Sequence, residues 1–307
     1  MQHIAYHDPV LCEETLNVLI TDPNGIYVDG TLGGGGHASA LLTHLSKSAK
    51  VFGIDQDDDA LRAASKRIND NRFSTVKGNF GYMDVLLPSS LQGRVNGILL
   101  DIGVSSHQID QGTRGFSFRE DGPLDMRMDP RNPLSAAIVV NNYDPAELTR
   151  ILFTYGEERF SRKITETIVA RRPVETTAEL RQAVESVIRG PHVNKSLARV
   201  FQAIRIEVNQ ELEMLTMALH KSVKLLAEGG RIAVMSYHSL EDRLVKHFFR
   251  AGNADGVVEK DFYGNDIRPL NPVKPALITP SEQEIARNPR ARSARLRVAE
   301  KPAEVSA

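Results

Sequence analysis

The sequence predicts an α/β fold: a parallel sheet with helices on both faces, interrupted by an all-helical insertion. Strand-like and helix-like runs alternate through the first third of the chain. That rhythm gives way to a long loop and then to helical patterns alone. Strand patterns return near Arg231. Alternating β and α runs of this length imply a parallel sheet, and a break in the alternation implies an inserted module.

Each element has its own signal. Ile26-Tyr27-Val28-Asp29 reads as a strand that stops at Gly30, and His37 to Ser46 as the helix after it. Lys50 to Ile54 is a second strand. Asp58 to Ile68 is a helix with Leu61, Ala64 and Ile68 on one face. Phe73 to Val76 is a third strand. Asn96 to Leu100 is a fourth, and its continuous apolar run has the look of a buried parallel strand. Asp110 to Pro133 is a loop rich in Gly, Pro, Asp and Arg, too long for a plain connection. Asp144-Pro145-Ala146-Glu147 and Thr176-Thr177-Ala178-Glu179 are helix starts, the second with the spacing of a capping box. One long helix is expected from Lys195 to Leu226, stopped by Gly229-Gly230. Arg231 to Met235 is the fifth strand, and Glu241 to Phe249 is helical. Val257 to Asp261 and Ala294 to Ala299 are expected as antiparallel closing strands. The insertion is therefore expected at residues 110–213, between sheet segments 1–109 and 214–307.

Bulk properties exclude several classes. A chain of 307 residues buries a large core without covalent staples. Cys12 is the single cysteine, which rules out an intrachain disulfide and fits a reducing, cytoplasmic setting. No apolar run approaches the roughly 20 residues of a membrane span, and residues 1–8 lack the pattern of a signal peptide. The net charge of −1 argues against a uniformly basic nucleic-acid binder, though not against local basic faces. His3 and His7 offer too few ligands for a metal site, and none is expected.

The chemistry concentrates in Tyr27-Val28-Asp29-Gly30-Thr31-Leu32-Gly33-Gly34-Gly35-Gly36-His37, between the first strand and the first helix. Glycines there allow a tight turn and a close approach of ligand to main chain. Alone they would also suit a flexible turn or several nucleotides. No Gly-Lys-Ser/Thr follows, so a P-loop is excluded. Asp55 ends the second strand, where an acid accepts hydrogen bonds from ribose hydroxyls. Asp29, just before the turn, suits an amino-acid ammonium and would repel a pyrophosphate. Asp101 ends the fourth strand and leads into Ile102-Gly103-Val104-Ser105-Ser106, at the sheet edge where α/β proteins bind ligands. These features favour S-adenosyl-L-methionine over NAD.

The chain resembles the bacterial ribosomal RNA small subunit methyltransferase H family. The stretches that carry the resemblance are His7 to Leu11, Tyr27 to His37, Gly97 to Ser106, Arg114 to Phe118, Gly122 to Asp129, Phe201 to Asn209, Ser236 to Arg243 and Asn288 to Ala294. They cover nearly the whole chain. The resemblance implies a class I methyltransferase with a Rossmann-like sheet and an inserted all-helical substrate-recognition domain. It implies methylation of N4 of a cytidine in the decoding centre of 16S rRNA. It also implies that Gly35, Gly36, His37, Asp55, Phe80, Asp101 and Gln108 hold S-adenosyl-L-methionine. Family members usually carry Pro before that Gln, where this chain has His107.

Methyl transfer to an exocyclic amine needs positioning, and it profits from an acceptor for the amino protons. Asp101 is the first candidate and Ser105 the second, with Ser106 beside it. The Asn/Asp/Ser-Pro-Pro-Tyr/Phe element of DNA amino-methyltransferases is absent. His238 is expected either to touch the RNA or to pack the strand–helix junction with Tyr237. The loop Arg114 to Asp129 is expected to close over cofactor and base. Basic residues cluster in the insertion (Arg159, Arg162, Lys163, Arg171, Arg172, Lys195, Arg199, Arg205) and near the C-terminal end (Arg287, Arg290, Arg292, Arg295, Arg297). Such clusters suit either phosphates or solvated helix faces. The expected partner is 16S rRNA, within the 30S subunit, and the apolar faces of the Lys195–Leu226 stretch leave a homodimer open. The alternatives are a methyltransferase of this fold acting on DNA or protein, a dinucleotide-dependent oxidoreductase, and a non-catalytic RNA-binding factor.

Overall fold

The computed structural model describes residues 9–303. His3 and His7 lie outside them, as does the side chain of Ser106. The chain divides into two units, Met1–Gly103 with Leu212–Ala307, and Val104–Glu211. In chain order the helices and strands are α1 (Cys12–Leu19), β1 (Ile26–Asp29), α2 (Gly36–His44), β2 (Lys50–Asp55), α3 (Asp58–Arg67), β3 (Phe73–Lys77), α4 (Met83–Leu86), β4 (Val95–Asp101) and α5 (Ser106–Asp110). Then come α6 (Ala136–Asn142), α7 (Pro145–Thr154), α8 (Ser161–Ala170), α9 (Thr177–Val187), α10 (Val193–Asn209) and α11 (Glu211–Leu225). The chain closes with β5 (Leu226–Ser236), α12 (Ser239–Ala251), β6 (Glu259–Lys260), β7 (Asp266–Ile267), β8 (Asn271–Pro272), α13 (Glu282–Arg287) and β9 (Arg295–Glu300).

The sheet unit is built on the order β3-β2-β1-β4-β5-β9-β8. Strands β1 to β5 pair in parallel, and β9 and β8 close the edge antiparallel. Strand order reverses between β1 and β4, which makes the carboxyl ends of those strands the switch point where such sheets take ligands. Alternate residues serve opposite faces. Val28, Ile98, Leu100, Ile232 and Val234 pack one core with Leu215, Leu219 and Phe248. Tyr27, Val51, Leu99, Ala233 and Met235 pack the other with Leu16, Leu41 and Ala64.

The helical unit has its own core, formed by residues such as Leu148, Ile151, Ile164, Leu180, Leu197 and Ile204. Two of its helix starts carry local signals for the first-turn amides. Pro145 opens α7, and Thr176 and Glu179 complete a capping box at α9.

Three expectations change. The single helix Lys195–Leu226 is two helices, broken at Gln210, whose φ of 51° is left-handed. Their apolar faces are buried in separate cores, α10 through Leu197, Val200 and Ile204 and α11 through Leu215 and Leu219. Those faces need no second copy to cover them. Gly229-Gly230 does not end a helix but lies within β5, which starts at Leu226. Val257 to Asp261 is no sheet-closing strand either. Only Glu259–Lys260 is extended, paired with Asp266–Ile267 in a two-stranded hairpin off the main sheet. Among the described residues no helix is long and apolar enough to cross a membrane.

Candidate active site

The glycine turn is fastened to the strands on both sides of it. Gly30 N donates to Leu99 O at 2.8 Å and Leu32 N to Ile54 O at 3.0 Å, so the chain leaves β1 still tied to β4 and β2. Gly35 caps α2 at φ 73°, and a Cβ there would lie 3.1 Å from that of Ala64 on α3. A side chain at Gly30 would meet Leu100 at 2.5 Å. Glycine is thus required by conformation at one position and by space at both.

Three carboxylates surround this turn at the ends of β1, β2 and β4. Asp29 is buried, and its Oδ1 accepts from Thr31 N at 3.2 Å. Burial pushes its pKa up to about 6 against the pull of His37 and the Thr31 amide. Asp55 accepts from Gly33 N at 2.8 Å and Asp57 N at 2.9 Å, and burial likewise raises it to about 6. Asp101 is more open than Asp29, with its side chain 24 % exposed. Its N–H donates to Thr31 Oγ1 at 2.6 Å, and its Oδ1 accepts from the Tyr237 hydroxyl at 2.8 Å.

His37 sits among these acids. Its Nε2 lies 3.6 Å from Asp101 Oδ2, a charge contact longer than a hydrogen bond. Neither ring nitrogen has a hydrogen-bond partner among the described residues. Burial pulls the imidazole pKa down, but Asp101, the neighbouring Cys12 and the charge of Asp29 outweigh it and raise it to about 10. Burial and the charge of Asp101 hold the Tyr237 phenol well above its ordinary value, so it stays a donor.

Phe80 opens the 3-10 turn Phe80–Tyr82 after β3 and packs partly buried on the sheet core. Asn79 fixes that turn by accepting from Gly81 N at 2.9 Å. Gly35, Gly36, His37, Asp55, Phe80 and Asp101 thus all belong to the sheet unit, at the carboxyl ends of β1 to β4. Ser105 and Gln108 belong to the helical unit, at the start of α5. They bond reciprocally, Ser105 N to Gln108 Oε1 at 3.1 Å and Gln108 N to Ser105 Oγ at 3.2 Å. That is capping-box geometry, and it occupies the Ser105 oxygen as an acceptor.

The sequence reading missed Tyr237 as a partner of Asp101. The available signal was its place just beyond β5, whose Met235 pairs with Asp101 across the sheet. His238 stands at the strand–helix junction. It caps α12 with Glu241, its Nε2 lying 3.0 Å from Glu241 Oε1. The loop Arg114 to Asp129 is built into the helical unit. Leu124 and Met126 are core residues, and Asn209 binds Met126 O and Met128 N at 2.8 Å each. Arg127 forks onto Asp125 at 2.8 Å and reaches Asn132 O at 2.9 Å.

The basic clusters separate into two kinds of residue. Arg172 binds the carbonyls of Val140 and Tyr143, Arg205 forks onto Glu211, and Arg295 and Arg297 both hold Asp242. Arg159, Arg162, Lys163, Arg171, Lys195, Arg287 and Arg292 are exposed.

Residues 4–302 match the MraW methylase family. The chain is 45% identical over 303 residues to the ribosomal RNA small subunit methyltransferase H of Bacteroides fragilis, covering 98% of this chain and 99% of that protein. It is 47% identical over 322 residues to that of Chlorobium phaeovibrioides, covering 97% of each. Among solved structures it is similar to an rRNA methylase from Streptococcus thermophilus, at 15% identity and a TM-score of 0.38, over 95% of this chain and 93% of that one. With a match that spans both units almost end to end, the chain belongs to the MraW methylase family.

Proposed function

We propose that the chain transfers the methyl group of S-adenosyl-L-methionine to N4 of a cytidine in the decoding centre of 16S rRNA. The observation that carries the donor half is the set of strand-end acids, Asp29 buried and Asp55 and Asp101 half-buried, around the glycine turn at the sheet switch point. A cofactor with a sulfonium and an ammonium suits Asp29 and Asp101, and its ribose suits Asp55. The turn accepts close approach because no Cβ fits at Gly30 or Gly35. His37 brings a buried imidazole whose ring nitrogens make no hydrogen bond among the described residues, suited to the amino-acid carboxylate. Gly36, Phe80 and Gln108 complete the proposed set. The acceptor half rests on the full-length likeness to ribosomal RNA small subunit methyltransferases.

When bound, the cofactor supplies an electrophilic methyl group. Asp101 accepts a hydrogen bond from the cytosine amine, turns its lone pair outward and takes the proton that the methylated nitrogen sheds. Tyr237 holds that carboxylate in place by donating to its other face. The Ser105 hydroxyl is the second candidate contact to the amine. The insertion, residues 110–213 in the sequence reading, contributes the RNA-binding surface. The folded target favours an assembled 30S subunit as substrate, with the cytidine turned out of its stack.

The test is nucleoside mass mapping of 16S rRNA after incubating unmethylated 30S subunits with the chain and labelled cofactor. N4-methylcytidine at one decoding-centre position is expected. Label in added duplex DNA or in protein, with rRNA unlabelled, would replace this reading with the other acceptors.

A further inference from the structure

We infer that the turn joining α7 to α8 is a stacking platform for a single-stranded segment of ribosomal RNA, an inference that rests on the RNA substrate proposed above. Two phenylalanines there stand in water. Phe153, in the last turn of α7, is 65 % exposed, and Phe160, which caps α8, is 49 % exposed. The same helices bury Leu148, Ile151, Leu152, Ile164 and Ile168 completely, so the fold does not lack room for apolar side chains.

The turn is rigid. Glu157 takes a left-handed conformation at φ 50°, and Glu158 is buried beneath it. Glu158 Oε1 accepts from Phe160 N at 3.0 Å, and its Oε2 lies 3.8 Å from Arg199 Nη1. Gln202 Nε2 donates to Tyr155 O at 3.0 Å. A Cβ at Gly156 would lie 2.7 Å from Leu152 O, so the backbone packs there without a side chain. A buried carboxylate spent on holding an exposed phenylalanine is costly unless the exposed ring has a use.

Charge decides the partner. Arg159, Arg162 and Lys163 flank Phe160, all exposed, and their charged groups form no hydrogen bond or ion pair with another described residue. The acids of this stretch that reach solvent are Glu157 and Glu166. Exposed rings among unpaired cations match bases stacked between phosphates. The β6–β7 hairpin makes the contrast. It exposes Phe262 and Tyr263 even more, but its Lys260 lies 3.8 Å from Asp266, and Glu259 and Asp261 flank it. That hairpin offers phosphates no net attraction.

The test uses the full chain in two variants, Phe153→Leu/Phe160→Leu and Arg159→Gln/Arg162→Gln/Lys163→Gln. Each is first checked for unchanged S-adenosyl-L-methionine binding by calorimetry. A fluorescent 15-nucleotide single-stranded RNA and unmethylated 30S subunits are the probes. Loss of the rings is expected to weaken RNA binding roughly 5- to 150-fold. Loss of the cations is expected to lower the salt slope of log Kd by about 2. KM for 30S subunits should rise in both variants with kcat kept. Unchanged RNA affinity and salt slope overturn the platform. So does a raised KM for 30S with unchanged RNA binding, which assigns the surface to a protein. If the wild-type chain leaves 30S unmethylated, the proposed function fails, and the RNA-binding arm still decides the platform by itself.

Discussion

The helical unit and the carboxyl edge of the sheet handle charge in opposite ways. In the helical unit, acids are neutralised by neighbours. Burial pushes the Asp125 carboxyl upward, but hydrogen bonds from the Arg127 side chain and amide outweigh it and hold the pKa low. Arg205 forks onto the buried Glu211, and Arg199 faces the buried Glu158. At the sheet edge, Asp29 is buried and Asp55 half-buried, with backbone amides as hydrogen-bond donors and no arginine or lysine, and both rise to about 6. A fold gains nothing from carboxylates held under such strain. Their cost is intelligible as the cost of a seat for a cationic ligand.

The strongest way to break this contrast is to remove one acid of the seat. Asp101→Ala should lower the rate of methyl transfer to 30S subunits by roughly 100- to 10,000-fold, the range of a lost proton acceptor. Its thermal melt should stay near wild type. A rate within a few-fold of wild type would move the chemistry elsewhere, with Ser105 next in line.

Next in size is Tyr237→Phe, which keeps the ring and removes the donor to Asp101. A positioning role predicts a fall in kcat of about 10-fold, one ordinary hydrogen bond, with cofactor affinity nearly kept. An equal fall in affinity would mean that Tyr237 shapes the seat rather than the carboxylate.

The stability of the cofactor-free chain sharpens the contrast through its pH dependence. For carboxyls raised to about 6 from 3.8, the folded state binds more protons than the unfolded state between those values. Their contribution to stability is therefore highest near pH 4 and falls as pH rises to 6, by up to about 1.4 kcal/mol per pH unit per group. Above pH 6 it is flat. The depressed Asp125 and Asp242 do the reverse, stabilising above the unfolded value and losing that only in stronger acid. Urea unfolding of wild type and Asp55→Asn from pH 4.5 to 7.5 checks the sign: the difference should shift against the wild type up to pH 6.

The smallest effect belongs to the helical unit. Thr176→Ala removes one arm of the α9 capping box and should cost about 1 kcal/mol in urea unfolding, without altering cofactor binding.

Local patterns revealed most of the sheet unit. Apolar runs such as Asn96 to Leu100, with Gly33 to Gly36 between strand and helix, depend on neighbours in sequence, and β1 to β5 follow from them. The break at Gln210 was hidden because a left-handed residue is ordinarily glycine or asparagine, and the apolar period runs through it. The sorting of arginines was hidden for a different reason. Arg297 looks like part of a basic tail until Asp242, 55 residues earlier, is brought beside it. Tyr237 and Asp101 meet across 136 residues, a pairing that only the order of strands creates. At the site, glycines and strand-end acids were legible singly, while burial, which gives the acids their raised pKa, was not.

The central claim is that the strand-end acids of the sheet edge, Asp29, Asp55 and Asp101, are the cofactor's seat. Calorimetric titration of S-adenosyl-L-methionine into wild type and Asp55→Asn, at pH 7.5 and pH 5, tests it most directly. The account predicts that wild type binds well at pH 7.5 and about 10-fold more weakly at pH 5, as carboxyls with a pKa of about 6 take up protons. The variant should bind weakly at both. Equal affinity in the two proteins, independent of pH, would contradict it.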